Sequence, residues 1–127
     1  MTCELAKELK AAGFPQPEPS FGQSWYDKMG ICMIGGQFDH KLLRVFTDIG
    51  EGEFEPFFIL GCLTFAPTLD DITPLLPQSF ALEMWDGRPS CTNRDEAQQI
   101  RTFGETFAEA AAMMWLEFAG MRGYGAN

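Results

Sequence analysis

The stretch RTFGETFAEAAAMMWLEFAGMRGYG, Arg101 to Gly125, begins as a helix should and then turns apolar on nearly every side. Thr106 is placed as the N-cap, and Glu109, three residues on, completes a capping box in which hydroxyl and carboxylate each satisfy an orphan amide. From there Phe107, Ala110, Ala111, Met114, Trp115 and Phe118 recur at helical spacing and form one broad apolar stripe. Ala108, Ala112, Met113, Leu116 and Ala119 fill much of the remaining surface, so that Glu109 and Glu117 are the only charges before Gly120. A helix with so little polar surface is covered on two sides. Gly120 is expected to take the left-handed conformation that ends it. The stripe could also grip a cofactor or a partner helix, but plain core is the simpler reading and the one adopted.

Working outward, the first element is a second helix. Thr2 caps it, Glu4 lies in its first turn and Lys10 in its last, and Leu5, Ala6, Leu9 and Ala12 give the inner stripe. Gly13 stops it, Phe14 folds back towards Leu9, and PQPEP carries the chain away extended. Gln23 to Tyr26 and Ile31 to Ile34 flank DKMG and predict a hairpin. KLLRVF reads as a third strand. EGEFEPFFILGCLTF holds a fourth, in which Pro56 and Gly61 imply an edge position or a bulge.

In APTLDDITPLLP, Thr68 caps a turn whose third position is Asp71, and Thr73 caps again before Pro74, which predicts two short helical turns instead of one helix. Phe80, Leu82 and Met84 then alternate with Ala81, Glu83 and Trp85 at the strand period, and Asp86-Gly87 turns the chain. Arg88 to Arg101 is polar and fits either a second hairpin arm or a loop. The expected class is therefore α+β: a mostly antiparallel sheet of four or five short strands with the N-terminal and C-terminal helices on one face. At 127 residues the chain is read as a single compact domain, residues 1–127, burying roughly two-thirds of its unfolded surface.

Composition narrows the functional classes. Eighteen acidic residues against nine basic ones give a formal net charge of −9, which repels a phosphate backbone and argues against direct nucleic-acid binding. Cys3, Cys32, Cys62 and Cys91 show neither zinc-ligand nor redox spacing. No basic and apolar leader opens the chain, and PFFILGCLTF is too short to span a membrane, so the expectation is a cytoplasmic protein with reduced thiols that has no membrane partner.

Three segments quoted in order, CELAKELKAAGFPQP, APTLDDITPLLP and ETFAEAAAMMWLEF, resemble those of a group of small uncharacterised bacteriophage and prophage proteins. The likeness covers both ends and a middle segment but not Gly22 to Leu63, and Pro74 departs from the longer middle helix of that group. Because the shared residues are caps and packing positions, the resemblance implies a fold and a phage origin and carries no catalytic residue across.

The residues themselves offer little chemistry. His40, the one histidine, follows Asp39, yet neighbours on a strand point to opposite faces, and a nucleophile such as Cys32 or Cys62 would have to be brought to it by the fold. Cysteines in runs such as GICMIGG and ILGCLTF are usually inert core. Gly35-Gly36 lacks the lysine of a phosphate loop and reads as a turn. Glu51, Glu53 and Glu55 alternate, which puts three carboxylates on one face of an extended chain. That row lacks the density of a calcium loop; it would discourage edge pairing, and it would equally suit a basic groove on another protein. No catalytic residue, metal site or cofactor is assigned. The expected function is a non-enzymatic phage accessory protein that binds a host protein with a basic surface through Glu51, Glu53 and Glu55, helped by Asp70 and Asp71. An inhibitor of a host defence nuclease, like an anti-CRISPR protein, is its most concrete form; a small cysteine and histidine enzyme and a structural phage component are the alternatives.

Overall fold

A computed structural model describes residues 1–27, 30–37, 42–47, 50–77, 79–94 and 99–125. The chain divides into two compact units, Thr2–Ala66 and Pro67–Asn127, the second of which also includes Met1. Both mix helices with antiparallel sheet, so the α+β class is as expected, but the strands form two sheets where one was anticipated.

In the first unit, α1 (Cys3–Ala11) starts where the Thr2 hydroxyl accepts from Leu5 N–H at 3.2 Å. It ends at Gly13, whose φ of +93° lets Phe14 N–H reach back to Leu9 O at 2.9 Å. Leu9 and Phe14 are both buried, in keeping with the fold-back of Phe14 that the sequence called for. The extended PQPEP segment has a second use: Gln16 Oε1 accepts from Phe65 N–H at 3.1 Å, satisfying a backbone donor of the short strand β5 (Thr64–Ala66).

The sheet of this unit also contains β1 (Ser24–Tyr26), β2 (Ile31–Gln37), β3 (Leu43–Thr47) and β4 (Gly50–Phe54), in the order β4-β3-β2-β1-β5. The expected hairpin joins β1 to β2, and Asp27 Oδ1 fixes its turn by accepting from Gly30 N–H at 2.8 Å. Gly35-Gly36 is no turn. It lies within β2 at a register shift between Ile34 and Gly36, a bulge that a side chain at Gly35 could not share with the Phe46 ring above it. β4 is the fourth strand expected in EGEFEPFFILGCLTF and it lies at the sheet edge, but the strand stops before Pro56, and Pro56 to Cys62 form the helix α2 (Pro56–Cys62) instead of continuing it. Pro56 marks its first turn instead of a sheet edge, because a proline there loses no hydrogen bond that the helix needs.

In the second unit, α3 (Leu69–Ile72) and a single 3₁₀ turn (Thr73–Leu75) follow the predicted pair of helical turns. The Asp71 carboxylate accepts from both the Thr68 N–H, at 2.8 Å, and the Thr68 hydroxyl, at 2.9 Å. β6 (Phe80–Trp85), β7 (Arg88–Asn93) and β8 (Ile100–Phe103) form an antiparallel meander, so that the described part of the polar Arg88 to Arg101 stretch supplies a hairpin arm in β7 and the start of a further strand in β8. Asp86 and Gly87 have φ of 51° and 76°, the left-handed pair demanded by a two-residue hairpin loop.

The closing helix α4 (Phe107–Gly125) packs on β7 and β8 and against α3. Those two neighbours explain its apolar girth: Ala110, Ala111, Ala112, Met114 and Trp115 are all buried. Thr106 Oγ accepts from Glu109 N–H at 3.2 Å as the cap requires, while Glu109 Oε2 reaches Glu105 N–H. Gly120 does not end the helix, which runs on to Gly125. A glycine permits a left-handed stop without imposing one.

Candidate functional site

The antiparallel register of the five-stranded sheet sorts its side chains onto two faces. Trp25, Cys32, Ile34, Val45 and Phe65 are buried on the inner face, where the Trp25 and Phe65 rings lie 5.3 Å apart. The outer face is different. Glu51 stands opposite Phe46, Phe46 opposite Met33, and Met33 opposite Ser24, giving one continuous row across four strands. Met33 is 52% exposed, and Phe46 and Ile31 are each 43% exposed.

The neighbouring row is charged. Glu53 stands opposite Arg44, and Arg44 Nε approaches Glu51 Oε2 at 3.9 Å across a solvent-exposed gap. An exposed pair of that length contributes little to stability. What results is an apolar centre of Ile31, Met33 and Phe46, bordered by the Glu51 and Glu53 carboxylates of edge strand β4 and by the Arg44 guanidinium of β3. Apolar centre with polar border is the layout of protein-binding surfaces.

The five acidic residues singled out from the sequence do not form one set. Glu51 and Glu53 share the outer face of β4, and Glu55 is exposed at the N-cap of α2. Asp70 and Asp71 are exposed in the first turn of α3, in the other unit, and the Asp71 carboxylate is engaged by Thr68. Met33, Ile31 and Phe46 were missed as contact residues. Their signal was the alternation of Ile31 and Met33 with Cys32 and Ile34 in a run of four apolar residues opening β2, since one face of such a run must meet something other than its own core.

His40 and Asp39 lie outside the described residues. Cys32 is buried and donates its thiol hydrogen to Asp27 Oδ2 at 3.4 Å, whereas Cys62, expected in the core, is exposed at the end of α2. Among the described residues no three His, Cys, Asp or Glu side chains are placed to hold a metal ion, and no helix is long and apolar enough to cross a membrane.

A second polar cluster occupies the meander of the other unit. Arg101 stacks 3.8 Å over the half-exposed Trp85 ring and pairs with Glu83 at 3.1 Å, and its guanidinium also donates to Ser90 Oγ. Every group there is engaged within the sheet, so the cluster reads as a brace for β6 to β8. Comparison with protein-family models, curated proteins and solved structures gives no match.

Proposed function

We propose that this chain is a non-enzymatic binding protein whose outer sheet face engages a partner protein with a basic surface. The single observation that carries the reading is the row Glu51, Phe46, Met33, in which exposed apolar side chains run directly into carboxylates. The apolar centre supplies affinity once desolvated, and the acidic border, backed by a net charge of −9, steers the encounter. The sequence resemblance supports a phage origin and hence a cytoplasmic host target. Within that setting a nucleic-acid-handling enzyme, whose working groove is basic, is the most complementary partner, and inhibition of a host defence nuclease in the manner of an anti-CRISPR protein is the concrete form of the proposal. Asp70 and Asp71 are not needed for it.

The test is capture from host lysate by the wild-type chain and by a Met33→Ser, Phe46→Ser double variant with native circular dichroism. A protein held by the wild type and lost by the variant supports the proposal. Equal retention by both removes this face from the interface.

A further inference from the structure

The two edges of the five-stranded sheet are finished differently. At one edge β5 is buried along its whole length, and Gln16 Oε1 takes up the Phe65 N–H at 3.1 Å. At the other edge β4 pairs with β3 from Gly50 to Phe54, and among the described residues no strand lies beyond it. An antiparallel ladder uses alternate residues, so the remaining residues of β4 turn both N–H and C=O outward, away from β3. Gly50, Glu51 and Glu53 are exposed. Backbone left open in this way is a template for one more strand.

We infer that β4 receives an extended segment of a partner protein, alternating basic with apolar residues, as a sixth strand of this sheet. The inference rests on the reading above that the partner has a basic surface, and it adds the means of contact: main-chain hydrogen bonds attach the segment, and side chains select it. On the outer face of β4 stand Glu51 and Glu53. On the other face Gly50 and Gly52 carry no side chain, and the Phe54 ring leans back over Gly52, where an added Cβ would meet it at 2.9 Å. A second copy of the chain fits this edge poorly. Antiparallel pairing of two β4 strands in full overlap sets Glu51 of each copy directly across from Glu53 of the other, and like charges directly opposite destabilise a pair. A strand with lysine or arginine at those two places reverses the sign of both contacts, and its alternate, apolar residues face the Phe54 ring. Lysines also keep such a strand from pairing with its own kind, so each edge is blocked alone and the two are complementary together. The selection is made by the side chains directly opposite the added strand, beside which the exposed Arg44–Glu51 pair at 3.9 Å is a weak competitor.

The full chain, labelled with heavy nitrogen for magnetic resonance, would be titrated with three blocked hexapeptides: alternating lysine and valine, alternating glutamate and valine, and the lysine peptide with every backbone nitrogen methylated. The lysine peptide should shift the amide resonances of Gly50 to Phe54 and slow hydrogen exchange at alternate residues of β4. It should bind about tenfold more tightly than the glutamate peptide. The methylated peptide keeps its charge but loses its donors, and it should not bind at millimolar concentration. Glu51→Gln with Glu53→Gln should remove the preference for lysine while the β4 resonances still respond. The peptide reads β4 alone and carries nothing to cover Met33 and Phe46. Failure at β4 therefore leaves the docking of the outer face standing, whereas equal retention in the lysate test removes that face and leaves the edge. Equal binding of the lysine and glutamate peptides overturns the inference, as does a methylated peptide that binds as tightly as its parent, a response centred away from β4, or none at millimolar lysine peptide. These outcomes are read on the wild-type chain, so they decide the matter even if the glutamine variant fails to fold.

Discussion

The Thr102 hydroxyl donates to the Ala110 carbonyl at 2.7 Å inside the second unit, tying strand β8 to the first turns of α4. The Cys91 carbonyl lies farther from the same hydroxyl, at 3.4 Å, and one proton cannot serve both well. Thr102 is buried, so removing its hydroxyl without changing its shape isolates that bond. Thr102→Val should cost about 1 kcal/mol in urea unfolding, the net worth of one intramolecular hydrogen bond. No measurable loss would mean that sheet and helix are held by apolar packing alone.

Trp115 is a larger test of the same packing. At 8% exposure its ring belongs to the core between α4 and its neighbours. Trp115→Ala should therefore cost about 3–5 kcal/mol, a large share of a typical domain's stability. A loss below about 1 kcal/mol would place the ring on the surface and return it to the list of contact residues.

Gly35 and Phe46 give a way to alter the outer face without making it less apolar. A Cβ at Gly35 would collide with the Phe46 ring, but that ring is 43% exposed and has solvent to swing into. Gly35→Ala should stay within about 1 kcal/mol of wild-type stability, because a side-chain rotamer yields more cheaply than backbone. Partner binding should nevertheless weaken, since Phe46 would leave the row between Met33 and Glu51. Unchanged binding by the folded variant would show that the position of Phe46 is immaterial to the interface.

What the sequence disclosed here was local chemistry. Thr2, Thr68, Thr106, Gly13 and Asp86-Gly87 each act on residues within a few positions along the chain, and each sits where its pattern placed it. PFFILGC was misread because a run that is apolar at every position has neither a strand period nor a helix period, and Pro56 is compatible with both a sheet edge and a helix start. The division of the strands into two sheets depends on pairings such as Trp25 with Phe65, forty residues apart in the chain, and no local signal encodes them. For the same reason the outer row was only half legible: the alternation of Glu51 and Glu53 was visible, but their apolar neighbours come from other strands.

Cys91 predicts a pH dependence. Burial pushes its thiol from 9.0 up to about 11, because the thiolate would lose its hydration inside the fold. Below pH 9 the thiol is protonated in both folded and unfolded chains and contributes no difference. Between about pH 9 and 11 the unfolded chain ionises first and releases its proton, so stability falls as pH rises, by at most about 2 to 3 kcal/mol from this group. Cys91→Ala should flatten that part of the stability profile relative to wild type, whatever its offset. Equal slopes for the two chains would show that Cys91 is not the group responsible.

The acidic row decides whether its carboxylates guide a partner or only protect a sheet edge. Glu51 and Glu53 border Phe46 and Arg44, whereas Glu55 sits at the start of α2 and Asp71 is committed to Thr68. If the outer face meets a basic groove, Glu51→Gln with Glu53→Gln should slow association with the captured partner, and the wild-type rate should fall as salt rises. Dissociation should change little, because charges at the border of an interface act mainly before contact. Asp71→Asn should behave differently: it weakens the reach back to Thr68, so it should lower stability by about 1 kcal/mol and leave the association rate alone. If the carboxylates only keep β4 from pairing with another strand, the double glutamine variant will bind its partner at the wild-type rate and self-associate more readily. Stopped-flow association at low salt, with sedimentation of the free variants, separates the two outcomes. A wild-type rate in a variant with native circular dichroism would take Glu51 and Glu53 out of the interface and leave the apolar centre to account for binding by itself.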